Sequence, residues 1–544
     1  MMTNNLCFTL NAHLPFVRHP EYPKFLEEDW FYEAVNESYL PILRMFYRLR
    51  EEKVPFHMVF SLSPTLVAML KDQLLSERLQ QYMESRLELG QKETERLWNN
   101  PEMLSIAKGY VDNINKNLEF WHETCKGNIL SAFNTLSEEG YLELITTAAT
   151  HAYLPIYKDY PVAVNAQLEV GIMQHARTFT NSCDGFWLPA NGYYPGLEDL
   201  LRRHNISWTE LAAHSLFLSE DKPVAGNYAP ARSSNGVYFF PRDYYLTSLV
   251  WSSREGYPCD PCYREFYRDI GYDLPLEYVR PYIHEPDVRV FTGFKYWAIT
   301  GNTADKAVYN PHKARTRVTE HANNFLYNVR SRGRKLEGVL SSDPFYTVSF
   351  DAELFGHFWF EGVWWLEDVI RMAAEDKSVR LITPGMYIAD NPAVQTVRPV
   401  FSSWGTGGYS QNWVDNSSNA FYVPHVLEAM TRMTELAQRF PNQKSLKQRF
   451  LNQAAREALL LMDSDWLLLM HNHTNETYSK NRIDGHIRNL YLVYDNMCKN
   501  AVNTEWLVKA EERNNIFPDI DYNIFNPEHL KEASPVYTTD FTAI

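Results

Sequence analysis

The chain carries no basic block or stripe. Its 52 Lys and Arg are outnumbered by 67 Asp and Glu, for a net charge of -15, so the electrostatic footprint of a nucleic-acid binder is missing and no nucleic acid is expected as partner. No apolar run approaches the ~18 residues a membrane span needs, and the opening stretch, MMTNNLCFTLNAHLPF, lacks the basic start and continuous apolar core of a signal peptide. The expectation is a cytoplasmic protein with no membrane partner. Cysteine is scarce and scattered, with six in 544 residues, which suits a reducing compartment. The one close pair, Cys259 and Cys262 in CDPC, has no second pair at ligand spacing, so neither a metal nor a cofactor is expected. Low-complexity tracts and internal repeats are also missing, which argues against disorder.

What is present is length, apolar content and aromatics: 45% hydrophobic residues, 14 Trp and 34 Tyr. Such a chain can bury a large core, and one large domain with a smaller one appended is the simplest division. Short apolar runs near residues 6–10, 57–61, 186–188 and 346–350 predict buried strands separated by helix-patterned stretches. That alternation predicts a parallel barrel or a doubly wound sheet, with chemistry gathered at the C-terminal ends of the strands. Residues 63–142, rich in Leu, Glu, Lys and Arg, are too long for one crossover and predict a helical insertion. Residues 221–241, with AGNYAPARSSNGVYFF, predict a loop over the rim. Helical periodicity returns beyond about residue 392, so the domains expected are 1–395 and an all-α unit over 396–544.

Three strand ends stand out. In SFDAELFGHFWFEG, Asp351 follows the apolar run directly, where a carboxyl can face a cleft while apolar neighbours raise its pKa, as a general acid requires. The same Asp could instead cap a helix starting at Ala352. His13, His151 and His357 each lie near an apolar run; any one of them reads as a hydrogen-bonded structural residue, and three together as a polar pocket floor. HNH, His471 to His473, reads as a helix-end turn rather than a metal site. Trp30, Trp187, Trp404, Trp413 and Trp466 lie at strand ends or in Gly/Ser/Asp-rich contexts. Indole faces stack on the C–H faces of sugars while carboxylates hold the hydroxyls, so the combination points to carbohydrate, with core packing as the alternative for each. The third strand end, FWLPANGYYPG, has the shape of a catalytic loop, yet Ala190 and Asn191 at its tip are neither nucleophile nor acid.

In chain order, AHLPFVRHPE, ATHAYLP, AQLEVGI, GFWLPANGYYPGLEDL, EGYPCDPCYREFYRDIG, FDAELFGHFWFEG, SSWGTGGY, SDW and NIFPDIDY resemble glycoside hydrolase family 57, in its 1,4-α-glucan branching enzyme type. The resemblance runs from His13 to about Tyr522. It implies an incomplete (β/α)7 TIM-like barrel with a helical insertion and a C-terminal helical domain closing one side of the cleft. It also implies metal-free retaining chemistry: a Glu after Trp-Leu-Pro attacks the anomeric carbon, and an Asp protonates the leaving oxygen and then activates the 6-hydroxyl of an acceptor glucan. Asp351 matches that acid/base, and His13, His151, Trp404, Trp413, Asp465 and Trp466 match cleft positions. The implied partner is an α-glucan: amylose, glycogen or a maltooligosaccharide.

The nucleophile does not carry over, because Ala190 stands where the family has Glu. No covalent glycosyl-enzyme can then form, and the chain is expected to be inactive or nearly so. A replacement made to trap a glucan complex and a natural loss are both open. Asn11 in place of the usual His, Cys262 in place of Trp, and NSSNAFY at 416–422 favour the second, since a single replacement would leave those positions intact. Three readings follow: a branching-type fold without turnover, a glucan-binding or regulatory protein of glycogen metabolism, or an enzyme using Glu353 or Glu169 as base in an inverting mechanism.

Overall fold

The computed structural model describes residues 2–301, 303, 305–414 and 417–531. Nine strands form one sheet: β1 (Asn4–Ala12), β2 (Met58–Leu62), β3 (Leu142–Thr147), β4 (Gly185–Trp187), β5 (Trp208–Ala212), β6 (Ala231–Arg232), β7 (Tyr238–Arg242), β8 (Phe345–Asp351) and β9 (Val379–Leu381). Every residue of β1 is buried, as is every residue of β8 except Asp351 at its end. Burial without alternation is what a parallel strand covered on both faces shows.

The chain closes a ring of seven parallel strands. β1 pairs with β2, β2 with β3, and the order continues through β4, β5 and β7. β7 reaches β8 through a single bridge, Arg242 to Thr347, and β8 returns to β1 over seven positions from Asn5↔Phe345 to Asn11↔Asp351. β9 pairs with the first residues of β1, and β6 runs antiparallel on β7. The expected (β/α)7 barrel is present, thinnest at the β7–β8 seam.

After β2 the chain runs through helices Pro64–Lys71, Gln73–Arg96, Pro101–Glu119 and Ile129–Glu138. Each begins at a side chain (Ser63, Asp72, Asn100, Asn128) that accepts a hydrogen bond from a first-turn N–H, which is why they break where they do. The last predicted helical residue, Leu142, instead opens β3. Beyond the barrel, helices Val423–Arg439, Ser445–Leu461, Ser464–His471, Glu476–Cys498 and Thr504–Arg513 pack around Ser445–Leu461, which is buried from Phe450 onward apart from the half-buried Asn452. Among the described residues no helix is long and apolar enough to cross a membrane.

The 221–241 segment is not all loop: it holds β6, and residues 238–241 belong to β7. Its first part stays beside the cleft, where Lys222 donates to the carbonyl of cleft-lining Phe217. The Tyr228 carbonyl accepts from Phe345 N–H at the N-terminal end of β8, and the Tyr228 ring lies edge-on to Tyr346. Tyr238 is buried, with its hydroxyl donating to the Pro392 carbonyl.

Candidate active site

The C-terminal ends of the strands supply the site residues, as in other parallel barrels. Asp351 closes β8 opposite Asn11 of β1. It precedes a short 3-10 turn, Ala352–Leu354, but makes no capping hydrogen bond, so the capping role falls. Burial pushes Asp351 up to about 6, against Arg242, Asn11 and His13, which pull it down; Asp465 adds to the rise. Glu353, two residues on, accepts from the Tyr39 hydroxyl and from His13 N–H at 3.3 Å. Burial, then the Asp351 charge, carries it to about 8.

His13 follows β1 and stacks on His151, with ring centroids 3.8 Å apart and planes 15° apart. His13 Nε2 lies 2.9 Å from Asp465 Oδ2, and His151 Nδ1 lies 3.2 Å from Ser464 Oγ. Burial and the His13 charge hold His151 well below the usual imidazole range, so it is neutral. His151 has φ +52°, a conformation a non-glycine residue adopts only when its surroundings force it. The surroundings here are the C-terminal helices: Thr150 Oγ1 donates to the Leu459 carbonyl at 2.5 Å, and Ala152 bridges to Asp463. Burial and Asp465 raise Asp463 well above the carboxylate range. Among the described residues, His13, Asp463 and Asp465 are the one group with donor atoms close enough for a metal, within 4.8 Å of one another. Within the group His13 bonds to Asp465, Asp463 Oδ1 accepts from the Asp465 N–H, and Asp463 Oδ2 is buried without a partner.

Ala190 follows β4 in a left-handed turn, φ +54° and ψ +28°, and Asn191 follows at φ +48°. Two consecutive non-glycine residues in that region are costly, about 1–2 kcal/mol each. The turn is held from outside by the arm around residues 402–410. Trp404 N–H donates to the Ala190 carbonyl at 2.8 Å, and Tyr193 and Ser402 exchange backbone hydrogen bonds. Ser410 N–H donates to Ser403 Oγ, and Ser410 Oγ is 2.5 Å from the Tyr153 hydroxyl. Tyr153 stacks on Trp413 at 4.5 Å. Asn191 is fully buried, and neither polar atom of its side chain has a partner.

A cleft of about 1300 Å3 opens beside this turn, between the ends of β5 and β7 and the 403–409 arm. Trp404 forms part of its wall, backed edge-on by Trp187 at 6.0 Å and covered by the Arg242 guanidinium at 4.3 Å. Tyr244, Tyr245 and Trp251 are exposed on the other side. Arg242 joins the cleft to the acid. It ends β7, donates to the Ser349 carbonyl at 3.1 Å, and lies within the field of both Asp351 and Glu210; burial brings it down to about 10, so it stays cationic. Glu210 of β5 is buried in the barrel below, where it accepts from Thr9 and Ser349.

Of the residues expected from sequence, His13, His151, Asp351 and Asp465 come together and Trp404 lines the adjoining cleft, with Ala190 in the turn bonded to it; Trp187 is a correction, fully buried behind Trp404 with no face open to a sugar. Trp413 is buried behind that wall against Tyr153. Trp466 is a correction: it is fully buried, its N–H donates to the Leu460 carbonyl and its ring meets Tyr478, so no face is open to a sugar. Trp30 lies partly buried, edge-on to the same Tyr478. His357 pairs with Glu37 at 2.7 Å rather than with the other two histidines. Glu169 is buried on the helix Pro161–Ala176, bonded to His529 and Asn165. His473 pairs with Glu476 just past a helix end, as a turn residue would. Of the NSSNAFY run, Asn416 lies outside the described residues. Arg242, Glu210, Asp463 and His214 were missed. Arg242 ends an apolar run, VYFFPR, that carried the same strand-end mark as Asp351.

The family described as Glycosyl hydrolase family 57 matches residues 7–398, and 1,4-alpha-glucan branching enzyme, C-terminal, matches residues 425–525. Among solved structures, the chain is similar to the α-amylase AmyC of Thermotoga maritima, with 37% identity, TM-score 0.90, and coverage of 96% of this chain and 99% of that one. It is similar to the GH57-type branching enzyme of Pyrococcus horikoshii, with 29% identity, TM-score 0.86 and 99% of both chains. It is also similar to the GH57 branching enzyme TK1436 of Thermococcus kodakaraensis, solved in complex with glucose and additives, with 27% identity, TM-score 0.86, and coverage of 99% of this chain and 98% of that one. With its barrel and C-terminal helices both matched, the chain belongs to glycoside hydrolase family 57.

Proposed function

We propose that this chain holds an α-glucan in the cleft at the C-terminal end of its barrel, as a protein of the branching-enzyme type, and does not carry out the double displacement. The domain division that goes with this reading is a barrel unit over 1–395 and a helical unit over 396–544. The observation that carries it is an acid whose pKa burial raises toward neutrality, Asp351 at about 6, beside a strained, arm-held turn whose tip is Ala190. The acid can protonate a glycosidic oxygen; no carboxylate at the turn can take the anomeric carbon. Turnover is expected on the order of 10^4-fold or more below that of an intact relative.

The test is Ala190→Glu, assayed on amylose for new α-1,6 linkages and for reducing ends. Branching activity gained by the variant supports a site lacking only its nucleophile, while reducing ends without branches favour hydrolysis, the reading the similarity to an α-amylase at 37% identity supports. Formate or azide added to the unmodified chain can stand in for the carboxylate. No gain from either treatment would sink the idea that the remaining machinery is competent. Retention of amylose by the unmodified chain tests the binding half separately. An inverting mechanism through Glu353 is less well supported, because its carboxyl already accepts from Tyr39 and from the His13 N–H.

A further inference from the structure

A second chamber of about 460 Å3 lies away from the cleft, between helices Leu40–Glu51 and Pro101–Glu119 and the first turns of helices Pro311–Leu336 and Gly362–Glu375. Its volume falls in the range of small-molecule sites, about 300–1,000 Å3. One wall is cationic. Arg48 on that wall is paired with Glu367, and Lys116 with Asp112. The acidic groups facing the chamber are spoken for: Asp112 by Lys116 and Glu37 by His357.

Arg44 is the exception. Its Nη1 donates to the Asn113 carbonyl at 3.3 Å, to Asn113 Oδ1 at 2.9 Å and to Asn117 Oδ1 at 2.6 Å, all neutral acceptors. Asn117 is itself fully buried and anchored to Asn36 through its Nδ2. Nε and Nη2 of Arg44 have no partner among the described residues, and no carboxylate lies within 4.0 Å of the guanidinium. Burial, reinforced by Arg48 and partly offset by the more distant charges of Asp112 and Glu119, brings Arg44 down to about 10. The first turns of two long helices, facing the same space at His312 and Trp364, add the positive end of their dipoles. Two aromatic side chains also line the chamber: Phe360 and Trp364 are half-buried, with centroids 5.6 Å apart, and the Arg264 guanidinium covers one face of Phe360 at 4.1 Å.

We propose that this chamber binds a phosphorylated monosaccharide. The phosphate takes the free N–H groups of the preset Arg44 fork, with Arg48 and His312 at the mouth, and the sugar ring lies against Phe360 and Trp364. Arginine's planar fork matches phosphate oxygens, and an apolar ring face matches indole. This site is independent of whether the cleft turns over glucan.

Calorimetric titration of the full chain at low salt tests it, with glucose 6-phosphate, inorganic phosphate and glucose as probes. Glucose 6-phosphate is expected to saturate one site about tenfold or more tighter than phosphate, with glucose unable to displace it. Arg44→Met should weaken it about 30-fold or more, Arg44→Lys should recover part of the loss, and Trp364→Ala should erase the preference over phosphate. The idea is overturned by no saturable binding to the unmodified chain, by unchanged affinity in a folded Arg44→Met, or by equal affinity for phosphate and the sugar phosphate. Should Arg44→Met fail to fold, the unmodified chain and Trp364→Ala still decide.

Discussion

Ala190 and Asp351 show how much a site depends on single atoms. The Asp351 carboxyl is costly where it stands, because burial favours its neutral form. For an acid whose folded pKa lies above its unfolded value, the neutral form's advantage is fully present below about pH 4. It is lost as pH rises through about 6. Asp351→Asn carries no such term, so its stability relative to the unmodified chain should grow between pH 4 and 8 by up to about 3 kcal/mol. Urea midpoints at the two pH values measure this; an unchanged difference would mean the carboxyl is better solvated than its surroundings indicate. Asp351 was legible from sequence because a carboxyl ending an apolar run is rare and costly. Glu210 was not: its pattern, WTELA, is that of any strand, and only ring closure brings Thr9 and Ser349 to it.

At the scale of elements, the 190–193 turn and the 402–410 arm act as one unit, zipped by backbone hydrogen bonds and pinned by Tyr153 and Trp413. Gly192 sits where a Cβ would meet the Tyr153 ring at 2.5 Å. Gly192→Ala should therefore displace Tyr153 and lower stability by about 1–3 kcal/mol, read as a shift of the thermal midpoint, with amylose affinity falling alongside. Trp404→Ala leaves the arm's backbone in place but removes the cleft wall. It should weaken amylose retention in affinity electrophoresis about tenfold, and unchanged retention would put the glucan elsewhere. The insertion helices were readable because each carries its own cap and Leu-rich stripe. The strand at 238–241 was not legible within the 221–241 segment because its Gly, Ser and Asn residues announce turns and mask the short apolar run that follows.

For the whole molecule, the barrel and the C-terminal helices make one site between them. His13 finds Asp465, and His151 finds Ser464, 452 and 313 residues away in the chain. Arg18 donates to the Glu512 carbonyl, and Arg482 to the Phe16 carbonyl at 3.3 Å. A chain ending at residue 422 would leave these polar groups and the apolar partners of Ser445–Leu461 uncovered. It should be recovered as aggregate, or as a species binding a hydrophobic dye, whereas the full chain stays monodisperse in size-exclusion chromatography. A soluble, glucan-binding fragment would show that the C-terminal helices are dispensable to the cleft.

The sequence by itself determined the element types, the parallel barrel and its place in glycoside hydrolase family 57, the carboxyl of Asp351 at the end of β8, and the methyl group of Ala190 in the turn after β4. Those are local facts: apolar runs, caps and motif order are written along the chain. Tertiary structure alone decided that His13 stacks on His151, that Trp466 is core while Trp404 is wall, and that Arg44 is left without a counter-ion. Each of these depends on groups that meet only when β1 closes the ring and the C-terminal helices dock, and no pattern along the chain encodes which distant partner will be there.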